Sequence, residues 1–276
     1  NGAGKSTTIS MLSCLQEPTA GEARIMGHCI RREQMAVRSV IGVVPQELAL
    51  YPDLSAGENL AFWAKMYGLR GAKLRQRVDE VLDIVGLADR RKGPVIKFSG
   101  GMKRRLNVGI ALLHRPQVLI LDEPTVGIDP QSRRSILDMV KDLNRQGMTV
   151  LYTTHYMEEA QELSDRVGII DHGELIALGS QAELTRQVGQ MDTLILNFGE
   201  DQDPAGLLES LKVLPGVQHV DVTDHKLSIL APSAEAILGE VVAKANAGGL
   251  KIRSMEVEEP DLEAVFLHLT GRALRD

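Results

Sequence analysis

The sequence predicts an α/β fold built on a parallel sheet, with an antiparallel margin and a helical subdomain, followed by a small α+β domain. Three observations predict it. Short β-branched runs (Ile41-Gly42-Val43-Val44, Val118-Leu119-Ile120-Leu121 and Thr149-Val150-Leu151-Tyr152-Thr153) recur between stretches of helical periodicity. The second run carries no polar alternation, the pattern of a parallel strand buried on both faces. After about position 188 the pattern changes to short strands and helices in the order β-α-β-β-α-β.

The elements follow in order. Segments 24–30 and 167–177 place paired apolar stretches around Gly27 and Gly173 and read as hairpins at the sheet margin. From about 55 to 113 the periodicity is helical, opening with Ser55-Ala56-Gly57-Glu58, a capping-box pattern that satisfies the first free N–H groups of a helix. Leu74, Val78, Val81, Leu82 and Val85 share one helical face, and Gly86 supplies a stop; this stripe reads as core packing. Beyond 188 come strands at 193–198, 217–222, 226–230 and 250–257, with helices at 204–214 and 233–247 and a last helix at 260–269. That order predicts a ferredoxin-like unit, so the chain divides into domains 1–188 and 189–276. The fold of the second domain does not assign its role, and a regulatory or dimer-supporting function is one hypothesis.

Composition narrows the function. With 276 residues, 43% of them hydrophobic, the chain can bury one large core and a smaller one. Lys and Arg number 31 against 37 Asp and Glu, a net charge of −6, so no overall positive field exists to hold nucleic acid or an anionic membrane. Cys14 and Cys29 have neither metal-site nor redox-motif spacing, and a chain of this size needs no disulfide framework, which favours a reducing compartment. No run of about eighteen apolar residues occurs, so a membrane role requires a partner chain. No signal segment opens the chain, which starts at Asn1 within a glycine-rich motif; that start reads as a truncation.

Three motifs carry chemistry. Asn1-Gly2-Ala3-Gly4-Lys5-Ser6-Thr7 ends a phosphate-binding loop whose first glycine would lie before Asn1. Its backbone N–H groups can turn inward around phosphate oxygens, Lys5 can neutralise the β/γ charge, and Ser6 can ligate Mg²⁺. The alternative is a glycine-rich loop opening an ordinary helix. The apolar run at 118–121 ends in Asp122-Glu123-Pro124, which places two carboxylates at the carboxyl edge of a parallel strand, where α/β sheets bind ligands. Asp122 suits Mg²⁺ held through water, and Glu123 can take a proton from an attacking water; an acidic strand end is the plainer reading. Ser99-Gly100-Gly101 opens a helix bearing Leu106, Ile110 and Leu113 on one face; in isolation it reads as a turn and N-cap, and beside the other two motifs as a second phosphate site.

Taken in order, the loop at the start of the chain, Gln46, Ser99-Gly100-Gly101, Asp122-Glu123, Asp129 and His155 resemble the ABC ATPase family over nearly all of 1–180. The resemblance implies a P-loop NTPase core in which two cassettes sandwich two ATP molecules with Mg²⁺, so that the chain dimerises. Glu123 and His155 become the catalytic residues. Asn1, Gly2, Ala3, Gly4, Lys5, Ser6, Thr7, Gln46, Ser99, Gly100, Gly101 and Asp129 become nucleotide-binding residues. Ser6, Gln46 and Asp122 become the Mg²⁺ ligands. Gln46 is the Q-loop glutamine, Gly127-Ile128-Asp129 the D-loop, and His155 the switch histidine; without the resemblance Gln46 is a loop residue and His155 a surface histidine.

Phe98 and Met102 replace the Leu and Gln common in the family's five-residue signature, and Lys103-Arg104-Arg105 follows directly. This variant is similar to the drug- and lipid-exporting, daunorubicin-resistance-like branch, as is the tail at 259–267. It implies an ATPase coupled to a separate integral membrane permease and held at the cytoplasmic face of the membrane, with no nucleic acid partner. The plainer reading of Lys103-Arg104-Arg105 is a solvated helix face. In this family the aromatic residue that stacks on adenine and the strand feeding the loop lie upstream of Asn1, which predicts weak ATP binding and lower stability than a longer parent. An ABC ATPase acting on nucleic acid or ribosomes is the alternative, disfavoured by the single compact cassette; a nucleotide-gated module with little catalysis is another.

Overall fold

The structure, a computed structural model, describes residues 2–187, 192–199, 202, 204–223, 225–258 and 262–270. Two compact units divide the chain: Asn1–Leu163 with His172–Glu174, and Ser164–Asp171 with Leu175–Asp276.

The first unit is laid on a three-stranded parallel sheet. Strands β1 (Arg24–Ile25) and β2 (His28–Cys29) form an antiparallel pair of their own. Helices α1 (Lys5–Leu12) and α2 (Gln34–Val40) lead to β3 (Ile41–Val44). The helical subdomain holds α3 (Ala56–Met66), α4 (Gly71–Ile84) and α5 (Gly100–Leu112). Next come β4 (Val118–Asp122), α6 (Pro130–Arg145), β5 (Thr149–Thr153) and α7 (Met157–Leu163). The sheet order is β3-β4-β5, with Ile41 beside Val118 and Val118 beside Thr149. All five residues of β4 are buried, and the two sides of the strand explain why. Leu119 and Leu121 join the large core that includes Leu60, Leu82 and Leu106 of the helical subdomain, while Val118 and Ile120 join a second cluster with Ile9 and Val37. A strand covered on both faces has no position for a polar residue until its end, and there the two acids sit.

Within the subdomain, Ser55 and Glu58 form the reciprocal cap expected at the start of α3, and Val78, Val81, Leu82 and Val85 are buried as the α4 stripe requires. Helix α6 adds to the elements expected from the sequence. It starts at Pro130 behind an Asp129 cap, a start signal that the acid's expected role in the nucleotide site obscures.

The second unit begins with β6 (Val167–Asp171) and β7 (Glu174–Gly179), a two-stranded sheet whose turn belongs to the first unit, and α8 (Gln181–Gln187). Then follow β8 (Asp192–Phe198), α9 (Ala205–Lys212), β9 (His219–Thr223), β10 (Lys226–Ala231), α10 (Ala234–Ala247), β11 (Ile252–Glu258) and α11 (Leu262–Thr270). The order β11-β8-β10-β9 with antiparallel pairing throughout is the ferredoxin-like topology the sequence predicts. It has its own core, including Leu194, Leu196, Leu211, Leu227, Ile229 and Val241. Both cysteines are free and buried.

Candidate active site

The loop before α1 sets the first group. Gly4, the residue capping α1, has φ 101°, a left-handed conformation that a side chain would strain, and it brings the next residue, Lys5, to the head of the helix. The Ala3 carbonyl is held by the Gly173 N–H at 2.9 Å. Gly2 and Ala3 lie in this loop, Ser6 and Thr7 are exposed in the first turn, and Asn1 falls outside the described residues.

Lys5 reaches the end of β4. Its Nζ lies 3.1 Å from Glu123 Oε1, and His155 Nδ1 lies 3.5 Å from the same oxygen. The Nδ1 atom is buried and makes no hydrogen bond among the described residues, so it is at ion-pair distance without being aligned for one. Thr153 of β5 fixes both acids. Its hydroxyl donates to Asp122 Oδ1 at 2.7 Å and accepts from the Glu123 N–H at 3.1 Å, which also donates to the Thr153 carbonyl at 3.2 Å. Glu123 has φ 45°, uncommon for a residue with a side chain and typical of strained functional positions.

Burial pushes the Glu123 carboxyl upward, but the hydrogen bond and charge of Lys5, with His155 second, outweigh it and hold the pKa below the usual glutamate value. A depressed folded-state pKa means that the carboxylate stabilises the fold above its unfolded pKa, and that this contribution is lost as pH falls through the lower, folded value. Replacing Lys5 by Met leaves burial opposed by His155 alone, so the Glu123 pKa is expected to rise and the acid loss to begin at higher pH. A ¹³C NMR titration of the glutamate carboxyls reads this directly; an unmoved Glu123 resonance would refute the pairing.

A second buried acid, which the motifs do not reveal, organises the surroundings. Glu159 on α7 is 2% exposed and accepts from Thr125 Oγ1 at 2.7 Å, Arg133 Nε at 2.6 Å, Thr154 Oγ1 at 2.8 Å and Tyr152 OH at 2.9 Å. Arg133 also lies over the Tyr156 ring at 3.9 Å, and that ring is 4.3 Å from the His155 ring. The segments after Glu123, after Asp129 and around His155 therefore share one anchor. Its only sequence signal is an acid four residues beyond His155, one helical turn on.

The remaining expected residues gather elsewhere. Ser99 Oγ accepts the Met102 N–H at 3.2 Å as the cap of α5, and Asp129 Oδ1 accepts the Ser132 N–H at 2.9 Å as the cap of α6. Gly101 is required by a close approach: a β-carbon there would collide with the Ser132 side chain. A β-carbon on Gly100 would be 3.5 Å from Ile128. Residues 99–101 thus pack on the 127–132 segment, and Ser99, Gly100 and Asp129 are exposed. No hydrogen bond or ion pair among the described residues joins 99–101 to Lys5, Asp122, Glu123 or His155. Gln46 is exposed too, its carbonyl held by Arg104 at 2.8 Å.

The ABC transporter family model matches residues 1–126. The linearmycin resistance ATP-binding protein LnrL of Bacillus subtilis (strain 168) is 50% identical, in an alignment that covers all of this chain and 89% of LnrL. The chain belongs to the ABC transporter ATP-binding subunits. Two further ABC relatives are similar over its whole length. The daunorubicin/doxorubicin resistance ATP-binding protein DrrA of Streptomyces peucetius is 38% identical, with 83% of its own length covered, and the Nod factor export ATP-binding protein I of Ralstonia nicotianae (strain ATCC BAA-1114 / GMI1000) is 36% identical, with 84% covered. A solved dimeric ATP-binding cassette in a post-hydrolysis state, bound to ADP and Pi, superposes with TM-score 0.58 at 29% identity, over 64% of this chain and 81% of that one. Another ABC transporter ATP-binding subunit gives TM-score 0.60 at 32% identity, over 68% and 78%. As an ABC ATP-binding subunit, the chain is an ATPase of the drug-resistance branch that its Phe98 and Met102 signature suggests.

Proposed function

We propose that this chain binds Mg-ATP between two copies of itself and hydrolyses it at Glu123 to drive export through a separate membrane permease. The observation that carries the reading is the division of the expected site into two groups. Lys5, Asp122, Glu123 and His155 converge at the ends of β4 and β5, whereas Ser99 and Gly100 present an exposed helix start that makes no hydrogen bond or ion pair to them among the described residues. A second copy would supply the missing half, as the dimeric form of the solved relative supports.

Lys5 would exchange its carboxylate partner for β- and γ-phosphate oxygens. Glu123, relieved of the Lys5 charge but still buried, would then gain basicity and accept the proton of the attacking water. His155 Nδ1, now without a partner, would hydrogen-bond at the γ-phosphate. The N–H groups opening α5 would face the γ-phosphate bound by the other copy, with Asp129 beside them. For the metal, the described residues contain no cluster of three His, Cys, Asp or Glu; the oxygen set of Ser6, Gln46 and Asp122 fits Mg²⁺, which keeps several water and phosphate ligands. When bound, it neutralises charge on the β/γ oxygens.

No described helix is long and apolar enough to cross a membrane, and the permease would be a separate chain. Its docking surface would lie just after Gln46, where Leu48, Tyr51, Phe62 and Met66 are exposed and the Tyr51 and Phe62 rings meet edge-on at 4.9 Å. The subunit would sit at the cytoplasmic face. The relatives' names, two of them for resistance to drugs and one for Nod factor export, support a drug-like small molecule as cargo and export as the direction. We assign 1–188 to the ATPase and 189–276 to an accessory domain, a division supported by the separate core at 194–252, whereas contacts group 164–171 and 175–187 with the second unit.

Light scattering of Glu123→Gln with and without Mg-ATP tests the two-copy site. The mass should double with nucleotide, and adding Gly100→Glu, which sets a carboxylate against the partner's phosphate, should keep it single. A mass that stays single in Glu123→Gln with the permease also present sinks the reading.

A further inference from the structure

Lys103-Arg104-Arg105 is not a solvated face. Arg104 is 5% exposed, and its Nη1 and Nη2 donate to the Pro45 and Gln46 carbonyls at 2.9 and 2.8 Å. One turn further along α5, Asn107 is 2% exposed and its Oδ1 accepts the Ala49 N–H at 3.1 Å. Among the described residues these are the only hydrogen bonds made by 45–49, so the loop bearing Gln46 hangs on two side chains of a single helix.

Packing does not account for Arg104. Burial depresses its pKa, and no carboxylate pairs with it among the described residues. Its Nε is buried without a hydrogen bond, as is Asn107 Nδ2. A buried cation with no counter-ion is a poor source of stability, because its desolvation cost is offset only through its hydrogen bonds to the two carbonyls. What Arg104 supplies is a planar fork spanning two successive carbonyls, which a lysine cannot do. The same helix begins at the residues proposed to face the partner's phosphate. Arg104 lies five positions from Ser99, about 7.5 Å along the axis.

We propose that Arg104, with Asn107, is a positioning residue that fastens the Gln46 loop to α5, so that the loop and the Ser99-Gly100-Gly101 helix start move as one body. The inference rests on the proposed two-copy site and adds its linkage: a permease pushing on the 45–51 region would displace the segment that completes the other copy's nucleotide site. Arg104 touches no reacting atom.

The test compares the wild-type protein with Arg104→Met, each carrying spin labels at Glu47→Cys and Lys103→Cys, by ATP turnover, fluorescent-nucleotide affinity, melting temperature and electron-spin distance. Arg104→Met should keep its nucleotide affinity, while kcat per folded molecule falls at least ten-fold and the label distance broadens, with the melting temperature showing that the variant is folded under the assay conditions. An unchanged kcat, or a fall in kcat with the narrow wild-type distance, overturns the proposal. Should Arg104→Met fail to fold, Asn107→Leu, which frees Ala49 at nearly constant volume, carries the same readouts, and the same outcomes support or overturn the linkage. Glu123→Gln run in parallel separates the two readings: turnover that survives it belongs to some other site, and the nucleotide-site reading fails rather than the Arg104 linkage.

Discussion

Glu123→Gln is expected to lower ATP turnover by roughly 10²- to 10⁴-fold, the range for a lost general base, with nucleotide affinity retained or improved. The amide keeps the size of the side chain and one oxygen facing Lys5, so the end of β4 has no reason to rearrange. It loses the charge and the capacity to take a proton. The affinity follows from the 3.1 Å ion pair, since a neutral amide at this position no longer competes with phosphate for the lysine. Phosphate release measured beside fluorescent-nucleotide binding reads both effects. Wild-type turnover in the variant would remove Glu123 from the chemistry, and a parallel collapse of binding would make it a structural partner of Lys5.

The second large effect is expected at Glu159. Four donors from four places in the chain end on its carboxylate, and removing one partner of a buried charged network costs about 3–5 kcal/mol. Glu159→Leu leaves Arg133 and three hydroxyls facing an apolar side chain, and burial already holds the Tyr152 hydroxyl far above its ordinary pKa. A melting temperature lowered by several degrees is the expected result. Glu159→Gln, which keeps one acceptor oxygen, should lose less. Equal melting temperatures for Glu159→Leu and wild type would show that the network contributes little to the fold.

How much of the molecule is legible in its sequence differs by physical cause. β4 is legible because burial on both faces writes itself into sequence as an unbroken apolar run, and the acids at its end stand where that burial stops. The ferredoxin-like order is legible because each element is short and bounded by turn residues. Ser99-Gly100-Gly101 admits two readings, and the geometry satisfies the plainer one: Ser99 caps α5, and Gly101 is small because Ser132 leaves no room. The role proposed for it toward a partner's phosphate would add to that geometry without replacing it. Arg104 reads from sequence as exposed, and the structure corrects this. Helical periodicity places it on a face, but only the position of the 45–49 loop makes that face buried. Glu159 is invisible for a related reason, since its partners Thr125, Arg133, Tyr152 and Thr154 converge through tertiary structure alone.

The Lys5–Glu123 pair has a consequence for selectivity. With no nucleotide present, the lysine is already neutralised by an internal anion, and every solute anion must displace it. A chloride offers one charge for one charge and gives up its hydration to do so, with no net gain. A triphosphate brings several charges and can engage backbone N–H groups of such a loop as well as the ammonium. The carboxylate proposed to serve hydrolysis would therefore also filter anions in the resting protein, leaving the loop indifferent to the abundant small anions of its surroundings and responsive to polyphosphate.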